Sequence, residues 1–145
     1  MDIKLNLIPL KSVGPFKFGD NILKYKNLDL IEEFYNEFDK FDYEVDRRVF
    51  KLLEDEKYEI RLYTENDSID TILCDKYLFY NDINLIGVKF EEFEKIIDSK
   101  YDEKSIEKVI DENQDVYEYV KLGLQVWVDN NGRIVTIICG PFIED

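Results

Sequence analysis

The chain has 145 residues, enough for one domain with a buried core, and 19 Lys and Arg against 33 Asp and Glu leave a net charge of −14. An apolar content of 45%, with ten Phe and ten Tyr, excludes a disordered acidic tail, and the anionic balance disfavours direct binding to DNA, RNA or an anionic membrane, whose phosphates need cations. The absence of His excludes a histidine general base, Ser-His and Cys-His nucleophile pairs and histidine metal ligands.

Residues 4–10 alternate and predict a short strand, and Gly14-Pro15 marks a turn. This N-terminal stretch has no cleavage signature, and no window approaches a membrane span, so a soluble cytoplasmic protein made without export is expected. Asp20 is placed to cap a helix on which Leu28, Ile31, Phe34 or Tyr35, and Phe38 recur at helical spacing opposite an acidic face. Strands are predicted over residues 43–53, 58–64 and 68–74, with a turn at Asn66-Asp67-Ser68. Residues 75–85 join the halves and have room for a further strand.

A second helix is predicted from Glu91 to about Lys100, with Phe93, Ile96, Ile97 and Tyr101 on one face and Glu91 and Glu92 favouring its N-terminal dipole. Strands follow over 116–121, 124–128 and 133–139, the last two joined by Asn131-Gly132, which signals a type I′ turn.

The run from Ile60 to Cys74 reappears from Leu124 to Cys139 with one residue inserted at the turn. Ile60/Leu124, Leu62/Val126, Tyr63/Trp127, Asn66/Asn130, Ile69/Ile134, Thr71/Thr136, Ile72/Ile137 and Cys74/Cys139 fall into step. Upstream, Phe16-Lys17-Phe18 resembles Val88-Lys89-Phe90, with Gly14 and Gly87 nearby but one position out of step. The expectation is an internal duplication, about 13–75 and 85–140, inside a single domain spanning 1–145, since no flexible linker separates the halves. The fold class expected is α+β: two tandem β-α-β-β-like repeats, a mostly antiparallel sheet, and helices packed on it. Periodicity does not choose between one continuous sheet and two facing ones.

Catalytic and metal motifs fail. Cys74 and Cys139 end matching apolar runs and read as core thiols, suiting a reducing compartment. Residues 111–115 match three ligand positions of a calcium loop but have Val116 where Gly is needed and Leu122 where Glu is needed, so they read as a solvated acidic loop. No phosphate-binding glycine loop occurs. The carboxylates on the polar side of the first helix lack an apolar pocket to raise their pKa. No enzyme, cofactor or metal is expected.

Charge is the positive signal. Residues 1–26 hold five Lys against two Asp, so the remainder carries −17. Residues 29–46 carry eight acids against Lys40, and residues 91–118 carry eleven acids against Lys95, Lys100, Lys104 and Lys108. A solvated face that provides solubility is the plain reading, and an acidic surface that captures a cationic site and steers a fast encounter is the sharper one.

GPFKFG (14–19), after a short leader strand and before a helix, and YEYVKLGLQVWVDNNGRIVTI (117–137) resemble small bacterial immunity proteins of polymorphic-toxin and contact-dependent inhibition systems. The resemblance implies a non-enzymatic cytosolic antidote, monomeric when free, that binds one cognate toxin domain, often a nuclease. The acidic helix and the loop before the final hairpin are then expected to face a cationic toxin. Glu33, Glu37, Asp42, Asp111, Glu112 and Asp115 are the candidate contacts, with exposed Tyr or Phe as anchors. A nucleic-acid mimic aimed at a DNA- or RNA-binding protein, and a structural or adaptor module, remain open beside it.

Overall fold

The computed structural model describes residues 4–33, 47–52, 60–109 and 112–141. In chain order, β1 (Leu7–Ile8), β2 (Ser12–Val13) and β3 (Phe16–Lys17) lead into a 3-10 turn, Ile22–Tyr25. Next come β4 (Leu30–Glu33), β5 (Arg47–Leu52), β6 (Ile60–Glu65) and β7 (Ser68–Cys74). A small hairpin, β8 (Phe79–Tyr80) and β9 (Ile83–Asn84), precedes helix α1 (Phe90–Ile97). The chain closes with β10 (Glu103–Val109), β11 (Glu112–Tyr119), β12 (Leu124–Val128) and β13 (Ile134–Cys139).

Eight strands form one antiparallel sheet in the order β10-β11-β12-β13-β7-β6-β5-β4. The two look-alike hairpins meet at its centre, where Ile137 faces Cys74 and Cys139 faces Ile72 across the β13–β7 ladder. Alternation along these strands sends Ile60, Leu62, Ile72, Cys74, Leu124, Val126, Ile137 and Cys139 to one side, all at most 1% exposed. Leu5, Phe16, Leu78, Leu85 and Phe93 cover that side and belong to the same core cluster. Both cysteines are free thiols, with burial pushing each thiol pKa up and so disfavouring the reactive thiolate. On the opposite side Tyr63, Leu73, Trp127 and Ile138 are half-buried.

The expected α+β arrangement, with a helix from each half packed on the sheet, is corrected: the described residues are mostly strand, with a single α-helix. The same backbone contacts locate the cause. The Gly19 amide donates to Ile69 O and the Ile22 amide to Asp67 O; the Gly87 amide donates to Ile134 O and the Phe90 amide to Gly132 O. Gly19, at φ 90°, therefore matches Gly87, at φ 96°, rather than Gly14 doing so. In this alignment Ile22 stands with Phe90, Tyr25 with Phe93, and Asp29 with Ile97. The first segment thus has Lys24 where the helix N-terminus favours acids, and an aspartate where α1 has its second buried anchor. It makes one 3-10 turn and then runs on as β4, whose ladder with β5 sets Leu30 opposite Leu52 and Glu32 opposite Phe50. The spacing of Leu28 and Ile31 yields to that tertiary pairing.

Turn chemistry also departs from expectation. Asn66 and Asp67 both hold positive φ, 51° and 66°, and form the two-residue type I′ loop. In the NNG turn only Gly132 is positive, at 75°, with its amide on Asp129 O, because the inserted residue lengthens that loop to three.

Candidate functional site

The structure does not gather the candidate carboxylates into one patch. Glu33 lies on β4, in one edge strand, and is held by Arg61 Nε at 3.1 Å and Lys51 Nζ at 3.4 Å. Glu112 and Asp115 lie on β11, six strand spacings away, about 29 Å at ~4.8 Å per strand. They sit in a strand, which corrects the solvated loop expected there. Glu37, Asp42 and Asp111 lie outside the described residues. Tyr117 and Tyr119 face the core, at 8% and 1% exposed, whereas Tyr101 is 43% exposed.

Asp115 does belong to a cleft of ≈ 320 Å³, at the low end of small-ligand clefts. Its lining comes from four places: Phe90 and Glu91 at the start of α1, Ile106 on β10, Asn113, Asp115 and Tyr117 on β11, and Val128, Asp129, Asn130 and Gly132 around the last turn. Tyr117 is stacked on Phe90 with ring centroids 3.9 Å apart, and Tyr101 meets it edge-on at 4.8 Å, so the floor is rigid and aromatic. Ile106 is 64% exposed on an edge strand, between Ser105 and Glu107. Glu91, Asp115 and Asp129 supply carboxylates around this apolar base, with the amides of Asn113 and Asn130 between them.

Each lining group has a structural reason to be where it is. Lys89, in extended backbone, leads into α1, and the Phe90 ring stacked on Tyr117 holds the start of the helix, with Glu91, beside β11. The Asn131 and Arg133 amides donate to Asp129 Oδ1, at 2.9 and 3.0 Å, which fixes the turn. Lys104 Nζ stands 3.7 Å from Asp115 Oδ2 and 5.4 Å from the Tyr117 ring centre. The Tyr117 hydroxyl, then Asp115, raises the Lys104 ammonium pKa, so this lysine stays charged across the physiological range.

Several carboxylates nearby serve the fold itself. Tyr119 Oη donates to Glu94 Oε2 at 3.1 Å, and the Val120 amide donates to Asp102 Oδ2 at 2.7 Å. Burial, then the Glu94 charge, pushes the Tyr119 phenol far up, keeping it a neutral donor. Among the described residues Glu91, Glu92, Asp98, Glu103, Glu107 and Glu112 have no ion-pair partner, and no group of three or more Cys, Asp or Glu could hold a metal. Anionic groups over an apolar, aromatic floor fit a cationic side chain with a hydrocarbon stem.

Sequence reasoning missed Glu91, Asp129 and Ile106 as site residues. Glu91 is accounted for by the helix dipole, and Asp129 carries no signal of its own beside the Asn131-Gly132 turn. Ile106 carried a usable signal, as a lone apolar residue inside the alternating charges of EKSIEKV. No helix among the described residues is long and apolar enough to cross a membrane. Searches against protein-family models, curated proteins and solved structures found no match to this chain.

Proposed function

We propose that the protein acts by binding, as an immunity-type inhibitor that captures a cationic protein, such as a basic nuclease-type toxin domain, at the β10–β11 end of its sheet. One observation carries the reading. Every described carboxylate of β4–β7 is within ion-pair distance of an arginine or lysine, whereas α1, β10 and β11 expose Glu91, Glu92, Glu103, Glu107 and Glu112, five acids with no such partner. Beyond the helix dipole that Glu91 and Glu92 favour, these unpaired like charges repel one another and raise the energy of the free protein. They attract and orient a partner of opposite sign, which relieves that repulsion on docking.

Co-expression with a basic nuclease-type toxin domain, sought among the products of the neighbouring genes, tests the reading. The expected result is rescue of growth, a complex that survives gel filtration, and an association rate that falls at least tenfold between about 0.1 and about 1 M salt, as the Debye length contracts from about 10 to about 3 Å. Persistent toxicity with no complex, or an association rate indifferent to salt, overturns it.

A further inference from the structure

We infer that the β10–β11 cleft receives an arginine of the partner, because the first half of the chain fills the equivalent place with an arginine of its own. The inference rests on the proposed function and identifies the group recognised.

The ladders define the equivalence. Leu62 faces Phe50 as Val126 faces Tyr117, and Thr64 faces Arg48 as Val128 faces Asp115. Phe50 in turn faces Glu32, and Tyr117 faces Lys104. Arg48 thus corresponds to Asp115, Phe50 to Tyr117 and Glu32 to Lys104, while the turn contacts already pair Asp67 with Gly132. Both halves place a charged pair diagonally over an aromatic ring, with the signs exchanged.

Arg48 uses that setting fully. Its Nε and Nη2 donate to the two oxygens of Glu32 at 3.1 and 2.7 Å, and its Nη1 donates to Asp67 Oδ1 at 2.9 Å. The guanidinium carbon lies 5.1 Å from the centre of the Phe50 ring. One side chain therefore spans from β5 to the β6–β7 turn. In the second half the corresponding ends of that span, Asp115 and Gly132, are both walls of the open cleft. The internal cation has been replaced by an acid, and the other walls contribute Glu91 and Asp129. Lys104 stands 3.7 Å from Asp115 Oδ2, over the Tyr117 ring, and is not among the residues that line the cleft.

A guanidinium suits these walls better than an ammonium does. Its planar fork of five N–H groups reaches carboxylates on separate elements at once, and its methylenes cover the exposed Ile106.

The test titrates the ¹⁵N-labelled protein with acetyl-Gly-Arg-Gly-amide and with its lysine and citrulline counterparts. Saturable amide shifts at Glu91, Ile106, Asp115 and Asn130 are expected with arginine, at least threefold weaker binding with lysine, and none with the neutral citrulline. Equal response to citrulline, or shifts spread equally to Glu33 and Glu65, overturns the inference. Exchanging the pair, Asp115→Arg with Lys104→Glu, copies the first half and closes the cleft from within, so arginine binding is lost; binding that persists in the folded variant overturns the inference. Asp115→Asn with Glu91→Gln, nearly isosteric, gives the same readout if the exchange fails to fold. A toxin domain that binds this last variant with undiminished affinity overturns the arginine cleft and leaves the broader function standing. An arginine response mapped to the cleft of a protein that forms no complex with the toxin overturns only the broader function.

Discussion

At the β4 end of the sheet, Arg47 reaches Glu65 and Asp70, Arg48 reaches Glu32 and Asp67, and Arg61 reaches Glu33 and Asp75, each within 3.8 Å. At the β10 end the described cations are mainly lysines, and only Lys104 has a carboxylate within that distance. The two ends share a strand order and a hairpin design, so the backbone does not dictate this difference. Arginine bridges two acids at once through its rigid fork, while lysine offers a point charge on a flexible stem that solvent readily takes. One end is consequently closed upon itself, and the other keeps its field directed outward.

Removing what the second half adds should have the largest effect. Phe93 is fully buried and touches Tyr119 at a centroid distance of 5.6 Å, anchoring α1 over β11. Phe93→Ala is expected to cost about 3–5 kcal/mol by urea unfolding, from lost burial plus a cavity. Tyr25→Phe at the equivalent place keeps the ring but loses the hydroxyl that donates to Asp20 and accepts from the Lys17 amide, and should cost only about 1–2 kcal/mol. Equal losses would mean that α1 contributes no more than the 3-10 turn does, and the contrast between the ends would fail.

Arg48→Met tests whether charge pairing holds the β4 end together. Three hydrogen bonds are lost and two carboxylates are left without this partner, but all three groups are about a third exposed, so solvent screening limits the expected cost to about 1 kcal/mol. Lys104→Met should change stability by less than about 0.5 kcal/mol. The Arg48 guanidinium lowers the pKa of Glu32, so the stabilisation is present above the unfolded glutamate pKa and disappears as pH falls through the lower folded value. The gap between wild type and Arg48→Met should accordingly close in acid. A gap that survives well below pH 4, about the unfolded carboxylate pKa, would assign it to packing on Phe50.

These residues also show why only part of the molecule was legible in the sequence. The central hairpins were clear because alternation and turn residues agree in both copies, and α1 was clear because Phe93 and Ile97 share a face with acids at its start. β4 was not, since Leu28 and Ile31 fit a helical period and only the ladder to β5 shows otherwise. β10 was hidden because EKSIEKV alternates charge with charge and presents no apolar face, a composition that protects an edge strand from further pairing. Asp115 was found from the acidity of its neighbourhood. Glu91 and Ile106 were not grouped with it because their nearness depends on how α1 and β10 cross β11, a relation that no local spacing encodes.

The smallest expected effect concerns a single position at which the repeats differ. Both hairpins bulge at the same place, skipping Asp70 in one ladder and Val135 in the other. Asp70 Oδ1 is buried with no hydrogen-bond partner, and Arg47 comes no nearer the other oxygen than 3.8 Å. Burial raises its pKa, so the folded state disfavours the charged carboxylate, and the aspartate is best tolerated below its unfolded pKa, with stability lost as pH rises through the raised folded value. Asp70→Val copies the second repeat and should stabilise the protein by about 0.5–1 kcal/mol at pH 7, in line with removal of an unsatisfied buried group. The gain should shrink towards zero below about pH 4, where the wild-type carboxyl is protonated in both states. A gain that is equal at both pH values would trace to valine packing in the bulge, and a loss at pH 7 would mean that the Arg47 pairing outweighs the buried oxygen, making Asp70 one more neutralised acid of the β4 end.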